Sequence, residues 1–129
     1  MKGKKDNLPA EPTRSELEIL QVLWDIGPAT VRAVNDELLK QKETNYATTL
    51  KFMQLMAEKG LLLRDDSQMK HVYSPAEKEE KMKGHILQKF VDSMYKGSPG
   101  KLMIQLLGDD KTTKDDLDEI RQLLKKIKK

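Results

Sequence analysis

The chain has no cysteine among its 129 residues. That absence removes disulfides, thiol catalysis and cysteine metal sites together. Histidine is nearly as scarce, with only His71 and His85, far apart in sequence. Two isolated histidines do not suggest a metal site, and no cofactor is expected. Long apolar runs are missing too. Nothing approaches the roughly 18 consecutive apolar residues that a membrane span requires, so no membrane insertion is expected. The basic start, Met1 to Asn7, is not followed by an apolar stretch and does not read as a secretory signal. A soluble, cytoplasmic protein is the expectation. No Gly-rich loop follows a strand to cradle a nucleotide phosphate. Serines and threonines lack a convincing His and acid pairing, and the carboxylates scatter over helical surfaces. An enzyme is therefore not expected.

An excess of one charge sign is also lacking. The chain holds 24 Lys and Arg against 21 Asp and Glu, a net charge of +3. Residues 1–75 carry 11 basic and 11 acidic side chains, and residues 76–129 carry 13 and 10. Any binding to nucleic acid must therefore use local placement, and non-specific affinity should be modest. Charge in total is plentiful, at 35% of residues beside 37% hydrophobic. With regular apolar spacing, that mixture describes solvated helices. The length suits one domain, or a small domain with an appendage.

Residues 1–11 read as a flexible lead-in. Thr13 to Glu16 fits a capping box. It opens a helix whose apolar face uses Leu17, Leu20, Val22, Leu23, Trp24 and Ile26, and Gly27-Pro28 stops it. A second helix should begin at Thr30, with Val31, Val34, Leu38 and Leu39 as its stripe. Asn45 is the N-cap of a third helix running to Lys59, closed by Gly60. The apolar run Leu61 to Leu63, a turn at Asp65 to Gln68, and Lys70 to Ser74 then read as a β-hairpin ended by Pro75. Helical periodicity resumes with Met82, Ile86, Phe90 and Met94, flanked by Leu87 and Val91, and Gly84 weakens that helix. Ser98-Pro99 opens the short apolar segment Leu102 to Leu107. Thr113 caps a last helix bearing Leu117, Ile120, Leu124 and Ile127. The Lys-rich end, Lys125 to Lys129, suits a helix C-terminus.

The predicted fold is mostly α. A winged helix-turn-helix domain of three helices and a β-hairpin wing spans 12–75, and an α-helical dimerisation domain spans 76–129. In such a domain the third helix enters the major groove and the hairpin flanks it. The same order also serves as a protein-interaction module without sequence-specific DNA binding. At about 100° per residue, Thr49, Leu50, Phe52, Met53, Met56 and Ala57 share the packing side. Ala47, Thr48, Lys51, Gln54 and Glu58 face away, with Leu55 among them. Thr48 can meet a base edge, Ala47 a thymine methyl, Lys51 a guanine edge or phosphate, and Gln54 an adenine. Tyr46 falls on the packing side by angle, although its position at the helix start leaves its hydroxyl a route to phosphate. Arg32, Lys40, Lys42, Arg64 and Lys70 are the basic residues that flank this helix. His71 reads as a surface residue of the wing and His85 as part of helix packing. Met82, Ile86, Phe90, Met94, Leu117, Ile120, Leu124 and Ile127 carry more apolar surface than the segment can bury alone. A homodimer is the expected cover, and its two-fold symmetry implies a palindromic DNA operator.

The residues that carry a resemblance are Pro12 to Trp24, Gly27 to Arg32, Tyr46 to Thr49, Glu58 to Leu62 and Tyr73 to Pro75. Together they resemble the penicillinase-repressor group of transcriptional regulators, BlaI/MecI/CopY. The likeness is specific in the first domain and looser after Pro75. It implies a dimeric repressor whose helix Tyr46 to Lys59 reads double-stranded DNA and whose hairpin Leu61 to Ser74 is the wing. Many relatives have a glycine and a basic residue in the wing turn, where this chain has Asp65-Asp66-Ser67-Gln68. These acids count against phosphate contact from the tip and leave Lys70 to act alone. The copper-responsive branch carries a C-terminal cysteine motif that this chain lacks. In the β-lactam branch a membrane metalloprotease sensor system triggers cleavage in the dimerisation domain, and Leu102 to Leu107 is the corresponding region here.

Overall fold

The computed structural model describes residues 11–127. The lead-in expected over 1–11 and the final lysines, Lys128 and Lys129, lie almost wholly outside that range. Element boundaries follow local chemistry. At the start of α1 (Arg14–Ile26), the Thr13 hydroxyl accepts from the Glu16 amide, and the Glu16 carboxylate accepts from the Thr13 amide at 2.9 Å. This is the reciprocal box expected from the sequence. Gly27 ends the helix at φ +86°, a conformation that other residues resist. Thr30 is the N-cap of α2 (Val31–Leu39) rather than its first residue. Asn45 caps α3 (Tyr46–Glu58) by accepting from the Thr48 amide at 2.8 Å. At the far end Gly60 sits at φ +85°. The Leu61 amide donates back to the Met56 carbonyl, and the Gly60 amide to that of Ala57. That pair of bonds is a Schellman closure.

The hairpin follows. Strand β1 (Leu62–Asp65) pairs antiparallel with β2 (Val72–Pro75), in a register that sets Arg64 opposite Tyr73. Pro75 is the last residue of β2 rather than its stop, and the connection is longer than a four-residue turn. One rung was not foreseen. Ala29, in the turn between α1 and α2, exchanges both backbone hydrogen bonds with Tyr73, at 3.0 and 2.8 Å. The wing is thereby bonded to the helix-turn-helix.

The chain divides into two compact units within α4 (Glu79–Met94), between His85 and Ile86. The core of the first unit joins Ile19, Leu20 and Leu23 of α1, Val34 and Leu38 of α2, Met53 and Met56 of α3, and Leu61, Leu62 and Tyr73 of the wing. Ile19 replaces Ile26 as a core contributor, and Ile26 and Leu39 are exposed. The unit extends past Pro75 because Trp24 donates its indole N–H to the Glu77 carbonyl at 3.2 Å. Met82 is also buried. A second buried feature is polar. Lys59 places its ammonium 2.8 Å from each oxygen of Glu16, which is only 3% exposed. Burial works to raise the Glu16 pKa, but the hydrogen bonds and charge of Lys59 and the bonds from Thr13 together hold it below the ordinary carboxylate value.

The second unit holds the rest of α4, then α5 (Pro99–Leu107) and α6 (Lys114–Ile127). Ser98 caps α5 with Pro99 at its first position. Thr113 and Asp116 form a reciprocal cap on α6, with both bonds at 3.0 Å. No residue of α5 or α6 is buried. Between them lies a groove of about 520 Å³ lined by Met103, Leu106, Leu107, Ile120, Leu123 and Leu124. Among the described residues, no helix is long and apolar enough to cross a membrane.

Candidate nucleic-acid interface

The outer side of α3 divides as its angular pattern predicts. Thr49, Met53 and Met56 are buried, and Leu50, Phe52 and Ala57 are half-buried. Ala47, Thr48, Lys51, Gln54, Leu55 and Glu58 are exposed. A row of methyl, hydroxyl, ammonium and amide groups therefore stands clear of the core along the first three turns. Lys51 has no carboxylate within ion-pair distance among the described residues.

Tyr46 departs from the angular expectation. It is 41% exposed rather than packed inward. As the first residue of α3 it has no preceding turn to cover it. Instead the Arg32 guanidinium lies over its ring, 5.0 Å from the centroid. A cation held on an aromatic face keeps its charge and its donors while losing mobility. Arg32, Tyr46 and Gln54 then line one concavity of about 390 Å³ with Lys70 and His71 of the wing. This brings together residues from α2, α3 and the hairpin that are distant in sequence.

Other basic residues are already engaged. Lys42 is paired with Glu18, and Lys40 with Glu37 at 2.9 Å. Phosphate contact by Lys42 requires that pair to open. At the wing, Arg64 binds Asp66 through two nitrogens, at 2.8 and 3.2 Å. The Asp65 carboxylate accepts from the Ser67 amide at 2.9 Å. Hydrogen bonds from Ser67 lower the Asp65 pKa. The wing acids thus have local partners rather than standing as bare negative charge. The cost falls on Arg64, whose charge is paired with Asp66, and Lys70 is left as the wing lysine lining the concavity. His71 stands with Nδ1 3.6 Å from Asp66. His85 is half-buried in α4, and its buried Nδ1 has no hydrogen-bond partner among the described residues.

The residues grouped as a dimerisation face separate. Met82 is 1% exposed, so its side chain is already covered within the chain. Its spacing of four from Ile86 gave no sign of this. Ile86 and Leu117 are half-buried. Phe90, Met94, Ile120, Leu124 and Ile127 are exposed, as are Leu87, Met103, Ile104, Leu106, Leu107 and Leu123. Among the described residues, no group of three His, Asp or Glu side chains could hold a metal ion.

A family model described as penicillinase repressor matches residues 12–126. The chain belongs to the penicillinase-repressor family. This repressor is similar to the methicillin resistance regulatory protein MecI of Staphylococcus aureus (strain N315), with 25% identity over 122 residues. That match covers 94% of this chain and 98% of the relative. The MecI proteins of Staphylococcus epidermidis and Mammaliicoccus sciuri are 25% and 24% identical over the same length. Family and fold agree that the repressor is a winged-helix, DNA-binding transcriptional regulator.

Proposed function

We propose that two copies of the repressor associate through their C-terminal helices, and that each presents α3 to one half of a palindromic operator. The reading elements lie within residues 12–75, and the helices that make the dimer lie within 76–129. The observation that carries this is the row Ala47, Thr48, Lys51 and Gln54, exposed beside a concavity that gathers Arg32, Tyr46 and Lys70. In this arrangement the row meets base edges, while Arg32, Tyr46 and Lys70 meet the flanking phosphates. Lys42 and Arg64 join them once their acidic partners release. The apolar faces of α5 and α6 support the dimer. Fully burying Leu117, Ile120, Leu124 and Ile127 is worth roughly 1.5–3 kcal/mol each before ordering costs.

Release follows from cutting the chain between Leu102 and Leu107, the work of a membrane metalloprotease sensor system. What supports this is that α5 has only nine residues, and its Ile104, outside the groove shared with α6, is 72% exposed. Helices this short are marginal by themselves, so opening one to a protease costs little.

Footprinting on the DNA upstream of the repressor's own coding sequence, at stated salt, tests the reading. Lys51→Glu should lower affinity by about fivefold or more, about a kcal/mol or more, with the fold intact. Undiminished affinity would instead support a protein-interaction role for α3. Cutting at residues 102–107 should separate the dimer and abolish binding. A cut protein that stays dimeric and bound would remove the proteolytic step.

A further inference from the structure

We propose that the buried pair Asn35 and Thr49 is a positioning device: it sets the roll of α3, and so the discrimination between operator and other DNA. The inference rests on the reading of α3 as the operator-facing helix. The Thr49 hydroxyl donates to Asn35 Oδ1 at 2.7 Å. Thr49 is 1% exposed and Asn35 5%. Among the described residues this is the one side-chain hydrogen bond between α2 and α3. The other buried residues of the two helices, Val31, Val34, Leu38, Met53 and Met56, are apolar.

Apolar contact is non-directional, and packed helices of given composition tolerate a spread of relative orientations. A buried hydrogen bond is directional, and it weakens steeply once its angle or length departs from a narrow range. A pair of this kind adds little net stability, because two apolar side chains of similar shape would pack there without desolvation. What it adds is one preferred orientation. Thr49 directly follows Thr48 and stands two residues before Lys51. Side-chain ends lie about 5–6 Å from a helix axis, so a roll of about 20° moves them by about 2 Å. That displacement breaks a base-edge hydrogen bond but leaves a long lysine able to follow a phosphate. Losing the pair should therefore cost specific binding more than non-specific binding.

The test compares affinities for two duplexes of equal length at one salt concentration. One carries the segment protected in the footprint, and the other is unrelated in sequence. Thr49→Val should weaken binding to the protected segment fivefold or more, while binding to the unrelated duplex changes less than twofold. Thr49→Ser keeps the hydroxyl and should keep the ratio. The double variant Asn35→Leu with Thr49→Val should recover thermal stability, because both polar groups are gone, yet its ratio should stay low. A ratio within twofold of the parent in Thr49→Val would overturn the proposal. So would a double variant that regains the ratio together with its stability. Lys51→Glu, run in parallel, separates the two levels. If it abolishes binding while Thr49→Val changes nothing, only the positioning role fails. If it also changes nothing, the reading of α3 fails.

Discussion

Lys59→Met removes the ammonium from a carboxylate that is 3% exposed and leaves Glu16 buried at the start of α1. Methionine retains the length and helix preference of lysine, so the change is mainly one of charge. Breaking a fully buried pair costs about 3–5 kcal/mol, because one charge is left uncompensated. Here the Lys59 side chain is 35% exposed, so water screens part of the interaction. The Thr13 amide still donates to Glu16 at 2.9 Å. A loss of about 2 kcal/mol is expected, which for a unit of this size lowers Tm by about 8–16 °C. The pH dependence identifies the cause. The Glu16 pKa is depressed in the folded chain. Its contribution is therefore complete above the unfolded carboxylate pKa and is lost as pH falls through the lower folded value. Without Lys59, burial is opposed only by Thr13. The gap between parent and variant should be full at neutral pH and shrink below the ordinary carboxylate range. Urea unfolding followed by circular dichroism at pH 7, 5 and 3 measures this. A gap under about 0.5 kcal/mol at pH 7, or one unchanged at pH 3, would refute the reasoning.

Asp66→Asn should release Arg64 for phosphate, raising DNA affinity and steepening the salt dependence by about one unit of slope. An unchanged slope in a salt titration would mean that Arg64 does not reach DNA. Gly84→Ala should stabilise α4 by about 0.4–1 kcal/mol, since an added Cβ at that position meets nothing within 4 Å. Chemical denaturation checks this. Leu124→Asp should shift the dimer towards monomer and weaken operator binding with it. Sedimentation showing an intact dimer would place the interface elsewhere than α6.

What was legible in the sequence was what short-range rules govern. Thr13 with Glu16, Asn45 before α3, and Gly27 and Gly60 after their helices each have a local steric or hydrogen-bonding reason, and each is found where expected. The faces of α3 were legible because a regular helix converts spacing into angle. The exposure of Tyr46 was not legible, because angle says nothing about which neighbour covers a terminal residue. The burial of Met82 was not legible, because periodicity shows that a stripe is apolar, not what it packs against. The buried Glu16–Lys59 and Asn35–Thr49 pairs join residues that tertiary packing alone brings together. Their types are common on exposed helical surfaces, so nothing in the local pattern separates them from solvated charges and hydroxyls. The Arg32, Tyr46 and Lys70 concavity depends in the same way on the placement of the hairpin against α2 and α3.

The two hydrogen bonds between Ala29 and Tyr73 have a consequence for recombining such proteins. A wing transplanted alone would arrive without the strand segment that completes it. The exchangeable cassette is therefore the stretch from Gly27 to Pro75, with crossover points outside it. Chimeras cut inside that stretch should exchange the amide protons of Ala29 and Tyr73 faster than chimeras cut at its ends.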